Sequence, residues 1–327
     1  MNKFIPKIPK QKIFDKLPKE IREVACVKNL TEISDSSSSN FIRKRSYKLV
    51  TEKGPNIHIS LSIKLRSVFE RTKAFNAIFP KHSCKPLFLT KINEIDLFAQ
   101  EFFDGKTLEY LCENSLIKNE QIELIINKIR LIFAGNEKKS SIQLMEDEFD
   151  LFSNQFNKIE DISEDDKLLI KHNLLKEIKN SFSSTTPTIR WSPGDFIPRN
   201  ILVNPNYEFK IIDLEFATET HFHHEDWMRL SEFCKESFRK LIFAKELAKN
   251  VPDFIKPYHY LKQILLNKNV LEEKKYNFHL QEDIINSLTS VNPTKNKSSI
   301  FDALIAKIKI YIDELFNKNN NTDTIIS

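Results

Sequence analysis

The sequence predicts an α+β chain in which a β-rich first part, ending near residue 103, precedes a mainly helical remainder. Three observations carry this reading. β-like runs begin at Ala25, apolar and polar residues alternate with the period of a half-buried strand from Ile57 to Lys64, and apolar β-like runs return between Pro86 and Phe103. Ile122, Ile125, Ile126, Ile129, Ile132 and Phe133 then fall on one face of a helix. Further on, the stretch WSPGDFIPRNILVNPNYEFKIIDLEFA, from Trp191 to Ala217, sets two short β runs around an Asn-Pro-Asn turn.

Composition bounds what such a chain does. With 327 residues it is long enough for two lobes or two modest domains, and an apolar fraction of 40%, including 26 Phe, is that of a globular protein. Only 4 Gly are present, so motifs usually built with glycine are expected here in Ser or Asn. Fifty basic against 45 acidic residues leave a net charge of +5. That mild, interspersed excess does not indicate nucleic acid, but it suits a partner bearing phosphates. Cys26, Cys84, Cys112 and Cys234 are far apart with no CxxC pair, and read as free thiols in a reducing cytoplasm. Lys and Pro break every apolar group of MNKFIPKIPKQKIF, so no signal-peptide core is expected there. No apolar run reaches about 18 residues, so no transmembrane helix is expected.

Taken in order, residues 1 to 24 form a polar, basic lead-in with a short helix or turn from Pro18 to Val24. Cys26-Val27 and Leu30 to Ile33 begin the β signal, the low-complexity run Ser34 to Asn40 interrupts it, and Phe41 to Val50 resumes it. A tight turn, Glu52 to Asn56, leads to a third strand, Ile57 to Leu65. Its alternation puts Ile57, Ile59, Leu61 and Ile63 on one face and Lys64 on the other. Val68, Phe69, Thr72, Ala74, Phe75 and Ile78 mark a helix that contains Glu70. Pro86 to Phe88 and Ile92 to Phe103 read as a hairpin ending at the Asp104-Gly105 turn. Past the 122–133 helix, amphipathic helices are expected at Leu144 to Phe156 and Leu168 to Phe182.

The Trp191 to Ala217 stretch carries the chemistry. Asp195 is followed five residues later by Asn200, then by the apolar run Ile201 to Val203, the turn, and a second run, Phe209 to Ile212, that delivers Asp213. A loop with a carboxylate and an amide, and a hairpin that returns a second carboxylate beside them, is suited to holding Mg²⁺ and a nucleophile together. Phosphoryl transfer asks for these residue types: one carboxylate near the attacking hydroxyl, and hard oxygen ligands for the metal.

The pattern GD-x₄-N, an apolar strand, and IID-x-E resembles the aminoglycoside and choline kinase-like phosphotransferases, which share the protein-kinase-like fold. PGDFIPRN further resembles a branch associated with bacterial surface glycans. The resemblance implies a two-lobed architecture, with an N-lobe over residues 1–103 and a C-lobe over 104–327. It implies transfer of the γ-phosphate of ATP, with GTP as the alternative, to a hydroxyl of a small molecule, with Mg²⁺ as cofactor. Asp195 becomes the catalytic residue, and Asn200, Asp213 and Glu215 the metal ligands. Lys64, paired with Glu70, would steady the phosphates, with Arg66 as a rival. Ser37, Ser38, Ser39 and Asn40 would approach the phosphates from the loop between the first strands, and Gln100, Glu101, Phe102 and Phe103 would form the adenine-binding hinge. The family usually has His two residues before the catalytic Asp, where this chain has Pro193. That departure and the glycine-free loop leave a catalytically inactive, ligand-binding relative as the alternative. A protein kinase is disfavoured by the short passage from Asp213 to Asp226 and the missing APE motif.

After Ala217, the run His221-Phe222-His223-His224 reads as surface or packing residues rather than a metal site, and Asp226 as the N-cap of a helix from Trp227 to Phe243. Helices near 255–267, 279–290 and 299–317 follow, with a disordered tail from about 317. The apolar stripe of the last helix reads as core packing, with peripheral membrane contact as the alternative.

Overall fold

The computed structural model describes residues 5–33, 44–63, 65–157, 164–183 and 185–232, together with Ile255, Tyr258, His259 and Lys262. The expected phosphate loop, Ser37 to Asn40, Lys64, and the helices and tail beyond residue 262 lie outside the described residues. Two compact units divide the chain: Met1–Lys138 with Ile189–Leu247, and Lys139–Thr188 with Ala248–Ser327.

In the first unit, the alternating runs form a five-stranded antiparallel sheet of β1 (Ala25–Glu32), β2 (Arg45–Thr51), β3 (Ile57–Ser62), β4 (Pro86–Ile92) and β5 (Ile95–Glu101) in the order β1-β2-β3-β5-β4. The two runs expected at Cys26-Val27 and Leu30 to Ile33 are one strand with a register shift between Ala25 and Leu30. Ile92 closes β4 rather than opening the next strand. The reversal is made by Asn93, at φ 56°, a left-handed conformation that Asn tolerates better than most residues.

One face of this sheet buries Leu30, Tyr47, Leu49, Ile57, Ile59, Leu61, Leu97 and Ala99. The lead-in packs into the same cluster: Ile5, Ile8, Ile13 and Leu17 are buried there, with α1 (Lys10–Asp15) and α2 (Lys19–Arg22) preceding β1. Lysines and prolines between those isoleucines hide a buried segment from a composition-based reading. The opposite face presents the alternate residues Ser46, His58, Ser60, Phe98 and Gln100.

Helix α3 (Leu65–Ile78) follows β3 at once. Its first N–H, that of Leu65, is capped at 2.7 Å by the buried carboxylate of Asp96 on β5, a partner 31 residues away. Phe69 meets Phe98 edge to face at 5.6 Å, while Phe75 and Phe79 enter a second core. That core contains Leu108 of α4 (Leu108–Glu113), Ile122, Ile125, Ile126, Ile129 and Phe133 of α5 (Asn119–Ala134), and Phe196, Ile201, Val203, Phe209, Ile211 and Trp227. Phe196 contacts Phe133 and Trp227 with ring centroids at 5.7 and 5.6 Å. The loop carrying Asp195 is therefore anchored by the residue beside it.

Short strands complete this unit: β6 (Lys106–Thr107), β7 (Lys138–Lys139), β8 (Thr188–Ser192), β9 (Ile201–Val203), β10 (Phe209–Ile211) and β11 (Thr218–Thr220), followed by α8 (Glu225–Glu232). The expected hairpin is β9 and β10, paired antiparallel from Ile201↔Ile211 to Val203↔Phe209, with Asn204 accepting the N–H groups of Asn206 and Glu208 across its turn. In the second unit, α6 (Ile142–Phe156) packs on α7 (Glu164–Ser181), with Lys171–Asp150 and Lys179–Glu146 ion pairs at 3.0 and 3.1 Å. No helix of the described residues is long and apolar enough to cross a membrane.

Candidate active site

Gly194 precedes Asp195 because nothing larger fits. Its φ is +76°, and a Cβ there would lie 2.3 Å from the carbonyl oxygen of Phe216. The segment carrying Asp195 and the segment after Asp213 therefore touch backbone to backbone. Pro198–Asn200 is one 3₁₀ turn, which swings Asn200 under Asp195. The Asn200 amide nitrogen donates to the Asp195 carbonyl at 2.9 Å and to its carboxylate Oδ2 at 3.0 Å. Both residues are buried, and the amide oxygen of Asn200 is left for another donor or a cation.

β10 then brings Asp213 alongside. Ile212 donates to the carbonyl of Asn200 at 2.9 Å, and Asp213 stands at φ 57°, ψ 55°. A non-glycine residue in the left-handed region is sparsely populated, and such conformations gather at functional sites. A cavity of about 210 Å³ opens here. Asn200, Asp213, Lys44, Ser46, His58, Ser60 and Gln100 supply its polar wall, and Leu65, Val68, Cys84, Phe98 and Ile211 its apolar one. Lys44 Nζ lies 3.4 Å from Asp213 Oδ1. Burial, reinforced by the charge of Lys44 and opposed by Asp213, pushes His58 down to about 4, so its ring is neutral at pH 7.

The other oxygen of Asp195 belongs to Arg229 of α8, whose Nε and one terminal nitrogen both approach Oδ1 at 2.6 Å. Below this pair, Ser192 Oγ accepts the Gly194 N–H at 3.0 Å and donates to Asp226 Oδ1 at 2.6 Å. Asp226 Oδ2 lies 3.2 Å from Arg190, which also donates to the His223 carbonyl at 3.0 Å and stacks over Phe133 at 4.3 Å. Asp226 is therefore inside the first turn of α8 and buried in an ionic brace, not an exposed N-cap.

The structure brings Asp195, Asn200 and Asp213 together as the spacing predicts. Gln100 also reaches the cavity, its amide 3.4 Å from His58 Nδ1. Glu101, Phe102 and Phe103 follow it along the chain without lining the cavity: the Glu101 and Phe102 N–H groups bond to Lys85 and Asn56, and the Phe103 carbonyl accepts from Gly105. Glu215 is exposed, and its carbonyl accepts from Arg71 of α3. Glu70 is exposed on α3 as well, whereas Leu65, Val68 and Thr72 form the face of that helix turned to the cavity. Neither Glu215 nor Glu70 is brought to the cavity. Lys44, His58, Ser192 and Arg229 were not anticipated. The alternation Lys44, Ser46, Lys48 was the available signal for Lys44, and the i+3 spacing from Asp226 the one for Arg229.

Among the described residues no three His, Cys, Asp or Glu are grouped to hold a metal. Magnesium asks for less: it is commonly held by one or two carboxylates and substrate phosphates while keeping several waters. Asp213 and the unspent oxygen of Asn200, on the wall of a polar cavity with a lysine across it, fit that requirement.

Comparison with solved structures decides the fold. A thermostable mutant of aminoglycoside phosphotransferase APH(4)-Ia superposes over 91% of this chain and 99% of its own, with a TM-score of 0.57 and 11% identity. The fold is that of the protein-kinase-like phosphotransferases. A thermostable mutant of the same enzyme in ternary complex with ADP and hygromycin B matches over 87% and 92% of the two chains, with a TM-score of 0.52 and 10% identity. Choline kinase LicA from Streptococcus pneumoniae matches over 79% and 92%, with a TM-score of 0.50 and 10% identity. No protein-family model and no curated protein sequence matches the chain. Against this fold, the absence of a His at Pro193 takes on a physical reading: the Ser192–Asp226–Arg190 brace ties down the loop from beside and below the proline.

Proposed function

We propose that the protein is an ATP-dependent phosphotransferase that phosphorylates a hydroxyl of a small, sugar-containing molecule. The observation that carries the proposal is that Asn200 holds Asp195 through hydrogen bonds of 2.9 and 3.0 Å and shares the wall of a polar cavity with Asp213, whose neighbour Ile212 donates to the Asn200 carbonyl at 2.9 Å. A Mg²⁺ ion bound there would neutralise charge on the transferring phosphoryl group. Asn200 and Asp213 would hold it; Asp195, fixed by Asn200 and Arg229, would orient the acceptor hydroxyl and accept its proton. Gln100, which lines the cavity, faces the nucleotide at the end of the segment that runs on to Phe103. Lobes divided near residue 103, a nucleotide loop at Ser37 to Asn40 and work in the cytoplasm belong to the same reading. The sugar-containing acceptor is supported by the structural neighbour that binds hygromycin B.

A second reading, a nucleotide- or ligand-binding protein without catalysis, is favoured by one feature: both carboxylate oxygens of Asp195 are engaged, Oδ1 by Arg229 and Oδ2 by Asn200. An ATP-consumption screen over sugars, aminoglycosides and amino alcohols, with Asp195→Ala as control, separates the two. Turnover lost in the variant supports the enzyme; nucleotide binding without turnover on any acceptor supports the second reading. If ATP causes no thermal shift with or without Mg²⁺, the enzyme reading falls.

A further inference from the structure

Two negatively charged partners, a metal-bound nucleotide and Asp213, would meet in a cavity whose described walls supply very little positive charge. The cavity-facing positions of β3 are His58 and Ser60, and that strand ends at Ser62. His58 is neutral at pH 7, and no lysine or arginine lies on β3 itself. Helix α3 turns Leu65, Val68 and Thr72 toward the cavity and keeps Arg66, Arg71 and Lys73 exposed.

The cation that does line the cavity comes from the neighbouring strand. Lys44 directly precedes β2 and shares a face with Ser46, while Arg45 and Tyr47 alternate to the other side. Arg45 is engaged there with Glu32 at 2.7 Å and the carbonyl of Ile5. Lys44 reaches Asp213, with side-chain exposures of 46% and 36%. A long, half-exposed pair of this kind is weak and exchanges readily. It places an ammonium beside the carboxylate that would hold the metal, where it could reach a phosphate bound in the same cavity.

We propose that Lys44, at the start of β2, is the side chain that grips the nucleotide phosphates, releasing Asp213 to the metal as the metal-bound nucleotide enters. The inference rests on the phosphotransferase reading and reassigns the role that the sequence placed on Lys64. Asp213 holds the ammonium in place before nucleotide arrives; afterwards phosphate oxygens replace one carboxylate oxygen as its acceptors.

Calorimetric titration of Mg–ADP and of adenosine into the full chain, Lys44→Met and Lys64→Met tests this. Lys44→Met should weaken Mg–ADP about tenfold or more, the loss of a charge-assisted contact, while adenosine affinity and the unfolding temperature stay unchanged. Lys44→Arg should recover much of the loss, and Lys64→Met should bind Mg–ADP as the parent does. Parent-like binding by Lys44→Met, or a loss in Lys64→Met as large as or larger than that in Lys44→Met, overturns the assignment while leaving the phosphotransferase reading intact. If the parent chain binds neither ligand, that reading falls and takes the assignment with it.

Discussion

Replacing Arg229 by Met keeps the length of an apolar stem in α8 and removes the guanidinium that meets Asp195 Oδ1 twice at 2.6 Å. The two side chains are only 10% and 12% exposed, so water cannot easily take the vacated place. Breaking a buried pair by deleting one partner costs about 3–5 kcal/mol. Asn200 still donates to Oδ2, which lowers the expectation for Arg229→Met to about 2–4 kcal/mol. Arg229 has further interactions, so the single variant overstates the pair. A double-mutant cycle with Asp195→Asn isolates it: with the carboxylate already neutral, deleting Arg229 should cost less, leaving a coupling of about 2 kcal/mol. Urea unfolding of the four proteins measures this, provided the slope of free energy against urea is shared. Because the readout is stability, the loss of activity on altering Asp195 does not confuse it. Strict additivity would show that Arg229 does not hold Asp195 in solution. Turnover adds a second test of the positioning role: Arg229→Lys should restore part of kcat, with KM for nucleotide nearly unchanged.

Other substitutions read out the remaining parts of the site. Asn200→Ala removes the proposed metal ligand and one tether of Asp195, and should lower kcat by about 10²-fold or more while raising the Mg²⁺ concentration needed for half-maximal rate. Gly194→Ala combines a left-handed φ with a 2.3 Å approach to the Phe216 carbonyl, so unfolding experiments should show a loss of about 2–4 kcal/mol; parent-like stability would mean the two backbones are farther apart. His58 and His224 are both pushed down to about 4, burial being the first cause of each. The unfolded chain takes up these protons near pH 6.5 and the folded one does not, so their contribution is full above that pH and is lost as pH falls toward 4. His58→Gln should flatten the fall in unfolding midpoint between pH 7 and pH 4.5 and leave the midpoint above pH 7 little changed.

The stretch from Asp195 to Asp213 was legible because its spacing is local in sequence. Asp195 and Asn200 are joined by one turn, and Asp213 returns on a hairpin whose Asn-Pro-Asn connection announces itself. The alternation of β3 likewise identified a strand that buries one face. Errors arose where a position was set by a distant partner. The N-terminus of α3 is fixed by Asp96 on β5, which stops β3 at Ser62 and draws the helix start to Leu65, closer than the strand period alone implied. Asp226 carries the sequence signature of an N-cap but is claimed by Ser192 and Arg190. The lead-in looked polar because apolar residues spaced among lysines show neither helical nor strand periodicity, although Ile5, Ile8, Ile13 and Leu17 are all buried.

Motif reading assigns a role to a sequence position, whereas the cavity requires only that some side chain bring the needed group to a point in space. Two roles here illustrate the difference. Bracing of the catalytic loop, which the family places on a His two residues before the catalytic Asp, can be performed through Ser192, because its hydroxyl accepts the Gly194 N–H and passes the load to Asp226 and Arg190. A proline at 193 then costs nothing, as no side-chain hydrogen bond is asked of it. A cation on the sheet can equally come from the start of β2, since adjacent antiparallel strands lie only about 4.8 Å apart and a lysine side chain spans that distance. A departure from a motif counts against activity only after the neighbouring strands and helices have been searched for the displaced group. By that measure Pro193 carries little weight against catalysis, and the contact of Arg229 with Asp195 carries more.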